Sequence, residues 1–349
     1  MISKELTQKS REFLKKSYSQ RADILVLGDV AIDRFVFGSV DRISPEAPVP
    51  ILHIDKTVDQ LGCTANVVRN LAALGDLFPN LNVHLLSLVG KDDLAKVMKT
   101  KLQELGAKVH VAFQEDSERP TILKTRFLAG SHHQLLRADL EVTRALATRT
   151  EQALMDLVDS KLSQVSYVIL QDYAKGLFSM KLCQQLIQSA QDRKVRVIVD
   201  PHRNSDPQFY RGAWMITPNV AEAEVLVGRN LFKGSENALI ENAAREIKEK
   251  LNIEMVMITR SHHGLTLLDS DNKIHHYPTM ARAVYDVTGA GDTLVSILVA
   301  ALAMGANLDL ASVLANAAAA VVVGKVGTAT ATPQEIDNEL DLHIVNGIR

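Results

Sequence analysis

The densest chemistry in the chain lies in Asp286-Val287-Thr288-Gly289-Ala290-Gly291-Asp292-Thr293, which leads into an apolar run from Leu294 to Met304. Two glycines and an alanine let the backbone come close to a bound group, and the run reads as a buried helix starting at the second glycine. Backbone N–H groups at a helix N-terminus lack intrahelical partners and, with the helix dipole, favour negative charge such as a phosphoryl group. Asp292 puts a carboxylate beside that anion site. Taken alone, an acidic residue in a first helical turn needs no role beyond complementing the dipole.

Other residues of similar chemistry sit where apolar runs end. Ile24 to Leu27 is followed by Gly28-Asp29, Val83 to Val89 by Gly90-Lys91-Asp92-Asp93, and Tyr167 to Leu170 by Gln171-Asp172-Tyr173-Ala174-Lys175-Gly176. Val195 to Val199 leads to Asp200-Pro201-His202-Arg203, Trp214 to Thr217 to Pro218-Asn219, and Met255 to Thr259 to Arg260-Ser261. Short apolar runs alternating with helical patterns predict a mostly parallel sheet covered by helices. In such a sheet ligands bind at the carboxyl ends of the strands, so the polar chemistry collects along one edge. Asp33 with Asp29, and Gly62 with Asn66 at a helix start, offer carboxylate and amide groups suited to the hydroxyls of a polyol; turn and cap chemistry accounts for them equally well. Asn219 and Glu222, three residues apart at a strand-to-helix junction, suit either an N-cap with an acidic first turn or a hydrated Mg²⁺ near a triphosphate.

Val49 to Asp55 and Thr121 to Leu140 break the alternation and flank a helix from about Ala65 to Leu74. They are expected to form a small separate sheet, a natural lid over the polar edge. On lid strands, Lys124 and Arg126 share a face because their spacing is two. The N-terminus reads as a charged amphipathic helix with Leu6, Phe13 and Leu14 on one side, and a further helix is expected from Ser235 to Leu251. Domain expectations are a helical extension over 1–21, one main domain over 22–335 with lid strands from about 34–60 and 108–140, and a tail over 336–349.

With 349 residues, 46% hydrophobic and 23% charged, the chain is long enough for a large core. Lys plus Arg number 39 and Asp plus Glu 41, so nothing in the net charge asks for nucleic acid or an anionic membrane. Cys63 and Cys183 stand far apart in no metal or redox spacing, which fits a cytoplasmic location. The N-terminus lacks a signal-peptide apolar core, and the runs near 294–304 and 310–324 are too short to span a bilayer. There is no GxxxxGK[ST]; Gly324-Lys325 leads to Val326 where Ser or Thr is needed. The pairs His132-His133, His262-His263 and His275-His276 do not read as metal sites, since neighbours on a strand point to opposite faces.

In order along the chain, Gly28-Asp29 to Asp33-Arg34, Arg42-Ile43-Ser44-Pro45-Glu46-Ala47-Pro48-Val49-Pro50, Ala65-Asn66-Val67, Leu135-Leu136-Arg137, Asp172-Tyr173, Asp200-Pro201, Thr217-Pro218-Asn219, Thr259-Arg260-Ser261, Val284 to Thr293 and Val323-Gly324-Lys325 to Thr330 carry a resemblance. The chain resembles the ribokinase-like (PfkB) carbohydrate kinases from about Ile24 to Ala331, and within them the kinases of D-glycero-D-manno-heptose 7-phosphate in ADP-heptose synthesis. The glycine-rich motif carries the family, and the Arg42 to Pro50 run carries the heptose branch.

The resemblance implies a ribokinase-like α/β fold and transfer of the γ-phosphoryl group of ATP to the anomeric hydroxyl of heptose 7-phosphate. It implies Asp292 as the base, with the Gly289-Ala290-Gly291 backbone holding the developing charge. With an ordinary carboxyl pKa of ~3.9, Asp292 is expected to be ionised at neutral pH without tuning. Asp33, Gly62, Asn66 and Asp172 are expected around the sugar. Lys124, Arg126, Arg137 and Lys175 are the candidates for its phosphate, Arg137 and Lys175 foremost. Asn219, Glu222, Thr259, Arg260, Ser261, Gly264, Asn316 and Gly324 are expected around ATP, with Glu222 near Mg²⁺ through water. Backbone carbonyls at Asp286 and Thr288 resemble the K⁺ site of some relatives. A homodimer paired through the lid, and a separate adenylyltransferase acting downstream, complete the expectation. The readings left beside it are the same chemistry on fructose phosphate, ribose or a nucleoside, and a sugar or nucleotide sensor that does no chemistry.

Overall fold

The computed structural model describes residues 2–16, 18–130, 133–232, 236–325 and 327–345. Its centre is β1 (Ala22–Gly28), buried along its whole length between the parallel strands β4 (Leu81–Gly90) and β8 (Tyr167–Gln171). Being covered on both faces, these strands read as unbroken apolar runs rather than alternating ones. The sheet continues through β5 (Val109–Asp116) on one side. On the other it passes through β9 (Arg196–Asp200), β10 (Met215–Ile216) and β11 (Met255–Thr259), and ends in the antiparallel β12 (Leu265–Leu268) and β13 (Ile274–Tyr277). The order is β13-β12-β11-β10-β9-β8-β1-β4-β5. The chain thus grows outward from β1 in one direction and then in the other, which opens a crevice at the carboxyl ends of β1 and β8.

Helices cover both faces. Leu154, Leu182, Leu186, Ile240 and Ile247, from α4 (Thr148–Leu162), α5 (Met180–Asp192) and α7 (Asn237–Leu251), close one core with Leu25 and Leu27 of β1. Ile24 and Val26 face the other core, with α2 (Thr64–Ala72), α8 (Ala290–Ala303) and α9 (Leu308–Val323). The helix expected from Ser235 begins at Asn237; Ser235 lies outside the described residues, as does His132. At the N-terminus, α1 (Lys4–Lys15) buries Phe13 and packs Leu6 and Leu14 against this second core. Arg11 on α1 pairs with Asp337 at 2.8 Å and with Asp341, both on α10 (Pro333–Val345). Positions 336–345 are therefore not a tail: Ile336 and Leu340 are fully buried.

The small sheet has the order β3-β2-β6-β7, formed by β2 (Val30–Ile43), β3 (Pro50–Cys63), β6 (Ile122–Ala129) and β7 (His133–Leu140). Residues 109–116, expected among the lid strands, belong instead to the large sheet, where β5 pairs with β4 from Val109 to Asp116. Its register follows β4 residue for residue, and this parallel edge strand looks like a lid strand in sequence because none of its residues is fully buried. Among the described residues no helix is long and apolar enough to cross a membrane.

Candidate active site

The N-terminus of α8 meets the crevice. Gly289, its N-cap, has φ 79°, and a Cβ there would lie 2.8 Å from Asn66 Nδ2, so both conformation and space call for glycine. One turn on, Asp292 is 7% exposed. Its carboxylate accepts hydrogen bonds from Asn66 Nδ2 at 2.7 Å, the Tyr173 hydroxyl at 2.5 Å and Gln171 Nε2 at 3.3 Å. Burial raises its pKa, and the hydrogen bonds from Tyr173 and Asn66, with the charge of Lys124, work against that rise. The carboxylate is thus tuned, contrary to the expectation of an ordinary one. A residue that only complemented the helix dipole would need neither burial nor three side-chain donors.

A cavity of about 250 Å³ opens beside this carboxylate. The lid supplies one wall by register: Asp33 pairs with Lys124, Lys124 with Asp139, and Arg126 with Arg137, so these side chains share a face. Asp33 accepts from the Arg126 guanidinium at 2.6 Å, and Arg126 lies 5.3 Å from the Phe35 ring centroid. A Cβ on Gly62 would stand 2.3 Å from Asp33 Oδ2. Lys124 Nζ donates to Cys63 Sγ at 2.9 Å, and Arg137 pairs with Asp139 at 2.6 Å. Asp172 accepts from the backbone N–H of Ala174 and the hydroxyl of Tyr210.

Three expected substrate residues sit elsewhere. Gly62 packs behind Asp33 and does not line the cavity. Asn66 is fully buried and its amide is spent on Asp292, so it holds that carboxylate rather than facing the cavity. Lys175 pairs with Glu141 at 2.7 Å and is not among the residues lining the cavity, whereas Lys124, Arg126 and Arg137 are. The structure adds Cys63, Gln171, Tyr173, Asp200 and His202 to the wall. Gln171 and Tyr173 at the end of β8, and Asp200 and His202 at the end of β9, were legible as strand-end residues, whereas Cys63 ends β3; that Gln171 and Tyr173 reach Asp292 was not legible.

A second cavity, of about 560 Å³, lies on the other side of the α8 N-terminus. Asn219, Thr259, Arg260, Ser261, Gly264 and Asn316 line it, together with apolar side chains such as Leu294 and Val323. Gly324 closes α9 just beyond and does not line it. Asn219 and Glu222 form a reciprocal capping box on α6 (Val220–Val227), the bland reading of that pair. Glu222 nevertheless turns its side chain toward the first cavity. Its pKa is pushed up to about 7, chiefly by burial. Asp200 is pushed up to about 8 by burial, then by Glu222 and Asp292. Acidic groups whose ionised forms are disfavoured fit a place beside a hydrated cation, although among the described residues no group of three or more His, Cys, Asp or Glu is arranged to hold a metal directly. The Asp286 carboxylate accepts from the N–H groups of Thr288 and Gly327, which fixes the loop bearing the expected carbonyls. Of the histidine pairs, His275 and His276 are engaged by Asp269 and Glu241.

Gly291 lines both cavities. The N-terminus of α8 is the partition between a large cavity with apolar walls and a small polar one that holds a buried carboxylate.

Residues 21–335 match the family described as pfkB family carbohydrate kinase. The chain is 43% identical over 316 residues to "Bifunctional protein HldE" of Vibrio cholerae serotype O1, covering 90% of this chain and 63% of that protein. It therefore spans less than two thirds of that relative's length. Among solved structures, Escherichia coli phosphofructokinase-2 in complex with substrates and products is similar, with a TM-score of 0.72, 20% identity, and coverage of 92% of this chain and 99% of that one. The same enzyme in complex with potassium gives a TM-score of 0.74 at 19% identity, over 93% and 99% of the two chains.

Proposed function

Because the chain belongs to the pfkB family of carbohydrate kinases, we propose that it transfers the γ-phosphoryl group of ATP to the anomeric hydroxyl of D-glycero-D-manno-heptose 7-phosphate, giving the 1,7-bisphosphate for ADP-heptose and lipopolysaccharide core synthesis. The observation that carries the kinase reading is Gly291, shared by the two cavities. A donor in the larger cavity and an acceptor in the smaller would meet across the α8 N-terminus, next to Asp292. The heptose assignment is supported by the Arg42 to Pro50 run, by the similarity to HldE, and by three basic side chains on the acceptor wall, which suit an acceptor that already carries a phosphate.

In this reading the acceptor O–H bond breaks as its oxygen attacks the γ-phosphorus, and the proton passes to Asp292. Oδ2, which accepts from Asn66, carries fewer hydrogen bonds than Oδ1 and has the spare lone pair. The bond between γ-phosphorus and the bridging oxygen breaks, and its electron pair leaves on ADP. The N–H groups at the start of α8 would face the charge that builds on the transferred group. Glu222 would hold Mg²⁺ through water, and the ion would neutralise phosphate charge when bound. The loop at Asp286 and Thr288 would offer backbone carbonyls to K⁺. In this reading the enzyme works in the cytoplasm, where ATP is available.

The test is ATP-dependent ADP release with heptose 7-phosphate beside fructose 6-phosphate, ribose and adenosine, each repeated with Asp292→Asn. Turnover confined to the heptose, falling by roughly 10²- to 10⁴-fold in the variant, is expected. Turnover with another acceptor would keep the kinase and discard the heptose; nucleotide binding with no turnover would point to a sensor.

A further inference from the structure

Cys63 ends β3 and is the N-cap of α2, with φ 52° and ψ −137°. That conformation suits glycine and is strained for a residue with a Cβ. Capping does not account for the cysteine either, because its side chain makes no hydrogen bond to the helix it precedes. Strain of this kind persists where the surroundings impose it, and it gathers at functional sites. Cys63 is 6% exposed, packs with Ala31, Ile122 and Tyr173, and lines the acceptor cavity. There its Sγ accepts a hydrogen bond from Lys124 Nζ at 2.9 Å.

Sulfur is an unusual choice of partner for this ammonium. In the register of the small sheet Lys124 stands opposite Asp33 on β2 and Asp139 on β7, and a cross-strand ion pair with either would be ordinary. Both carboxylates are taken by arginines, Asp33 by Arg126 at 2.6 Å and Asp139 by Arg137 at 2.6 Å. Those two pairs are neutral. Lys124 instead meets the thiol, with its Nζ 5.6 Å from the centroid of the Tyr173 ring. Burial pushes the Cys63 thiol up to about 12, so it is an uncharged partner at neutral pH. Thiol and ring hold the ammonium in place and leave its charge uncancelled at the cavity wall.

We infer that Cys63 is a positioning residue that sets affinity for the phosphate of the acceptor, aiming Lys124 into the smaller cavity without neutralising it. This rests on reading that cavity as the site of a phosphorylated acceptor, whose phosphate Lys124 touches. A carboxylate in place of the thiol would hold the lysine and cancel the charge that the phosphate needs. Glycine would fit the backbone and leave the lysine to compete with Arg126 and Arg137 for Asp33 and Asp139.

The experiment is steady-state kinetics of the full chain with heptose 7-phosphate and ATP for Cys63→Gly, Cys63→Ser, Lys124→Met and the double variant Cys63→Gly with Lys124→Met. Cys63→Gly relieves the backbone but removes the sulfur. Its KM for the sugar phosphate should rise by about tenfold, the effect of losing a hydrogen bond to a charged group, with the KM for ATP unmoved. Cys63→Ser keeps the strain and restores an acceptor, and its KM should stay close to that of the wild type. A purely structural role predicts the reverse order. In the Lys124→Met background, Cys63→Gly should add nothing, because the group it aims is gone. A KM unmoved by Cys63→Gly, or a rise of the same size with and without Lys124, would overturn the inference. Should Cys63→Gly fail to fold, Cys63→Ala, which keeps the Cβ and removes the sulfur, is expected to give the same rise. Because the inference concerns the phosphate, the series is read with whichever phosphorylated acceptor the wild-type chain turns over. A wild-type chain that turns over none would instead sink the reading of the cavity, and this inference with it.

Discussion

At the scale of single residues, the site is governed by what surrounds one carboxylate. Asp292 is buried and its pKa is raised, and a base works only when ionised. Activity should therefore fall as pH drops through a value above the ordinary carboxyl pKa of ~3.9, and the acid limb of kcat/KM in the wild-type chain will show it. A limb at the ordinary value would mean that the donors around Asp292 fully cancel its burial. Gly289 makes a second residue-scale prediction. Gly289→Ala adds a Cβ at φ 79° and 2.8 Å from the amide that holds Asp292. Displacing that amide misplaces the base, and a fall of about 10²-fold in kcat is expected from steady-state kinetics, with much less change in the KM for ATP. Asp292 and Gly289 were legible from spacing alone. The donors to Asp292 were not, because Asn66 and Tyr173 are separated from it by 226 and 119 positions and meet it only through the packing of α2 and β8 around α8.

At the scale of elements, α8 is buried from Asp292 to Leu302, and its start is fixed by packing against α2 and α9 and by hydrogen bonds to α2, Thr293 donating to Asn70 and Ser296 to the Val67 carbonyl. The lid strands position their charges by period: spacing of two put Lys124 and Arg126 on one face, and the register with β2 and β7 brings Asp33 and Arg137 to the same face. Strand β5 shows the limit of this reasoning, since its pattern fits a lid strand and only its hydrogen bonds to β4 assign it to the large sheet. The two terminal helices support each other. Arg11 holds α10 through Asp337 and Asp341, and the side chains of Arg11 and Asp337 are 18% and 13% exposed. Arg11→Ala should lower the unfolding free energy by about 1–3 kcal/mol, the range for hydrogen bonds to charged groups, read from urea midpoints. An unchanged midpoint would mean that α1 is held by Phe13 and its aromatic neighbours alone.

At the scale of the whole molecule, the small sheet leaves apolar surface uncovered. Leu123 pairs with Leu140 and Phe127 with Leu136, on the face opposite Lys124 and Arg126, and Leu136 and Leu140 are 58% and 50% exposed. An uncovered apolar face beside open strand edges favours association. A homodimer formed through this face is the expected state, and sedimentation should report it. Leu136→Glu with Leu140→Glu should give a monomer that keeps its fold, whereas dimers persisting in that double variant would place the interface elsewhere.

By itself the sequence determined the α/β class, the carboxyl edge on which the chemistry collects, the helix that begins at the glycine-rich motif and the carboxylate one turn into it. Each of these is set by local period, by glycine's freedom or by short spacing, which do not depend on distant residues. Tertiary structure alone decided which donors reach Asp292, that the Asn66 amide is spent on it and Lys175 pairs with Glu141, that residues 109–116 join the large sheet, and that one glycine lines two cavities. Those facts depend on how far strand ends and helix starts approach one another across the sheet, a distance fixed by the packing of two cores and written in no single stretch of the chain.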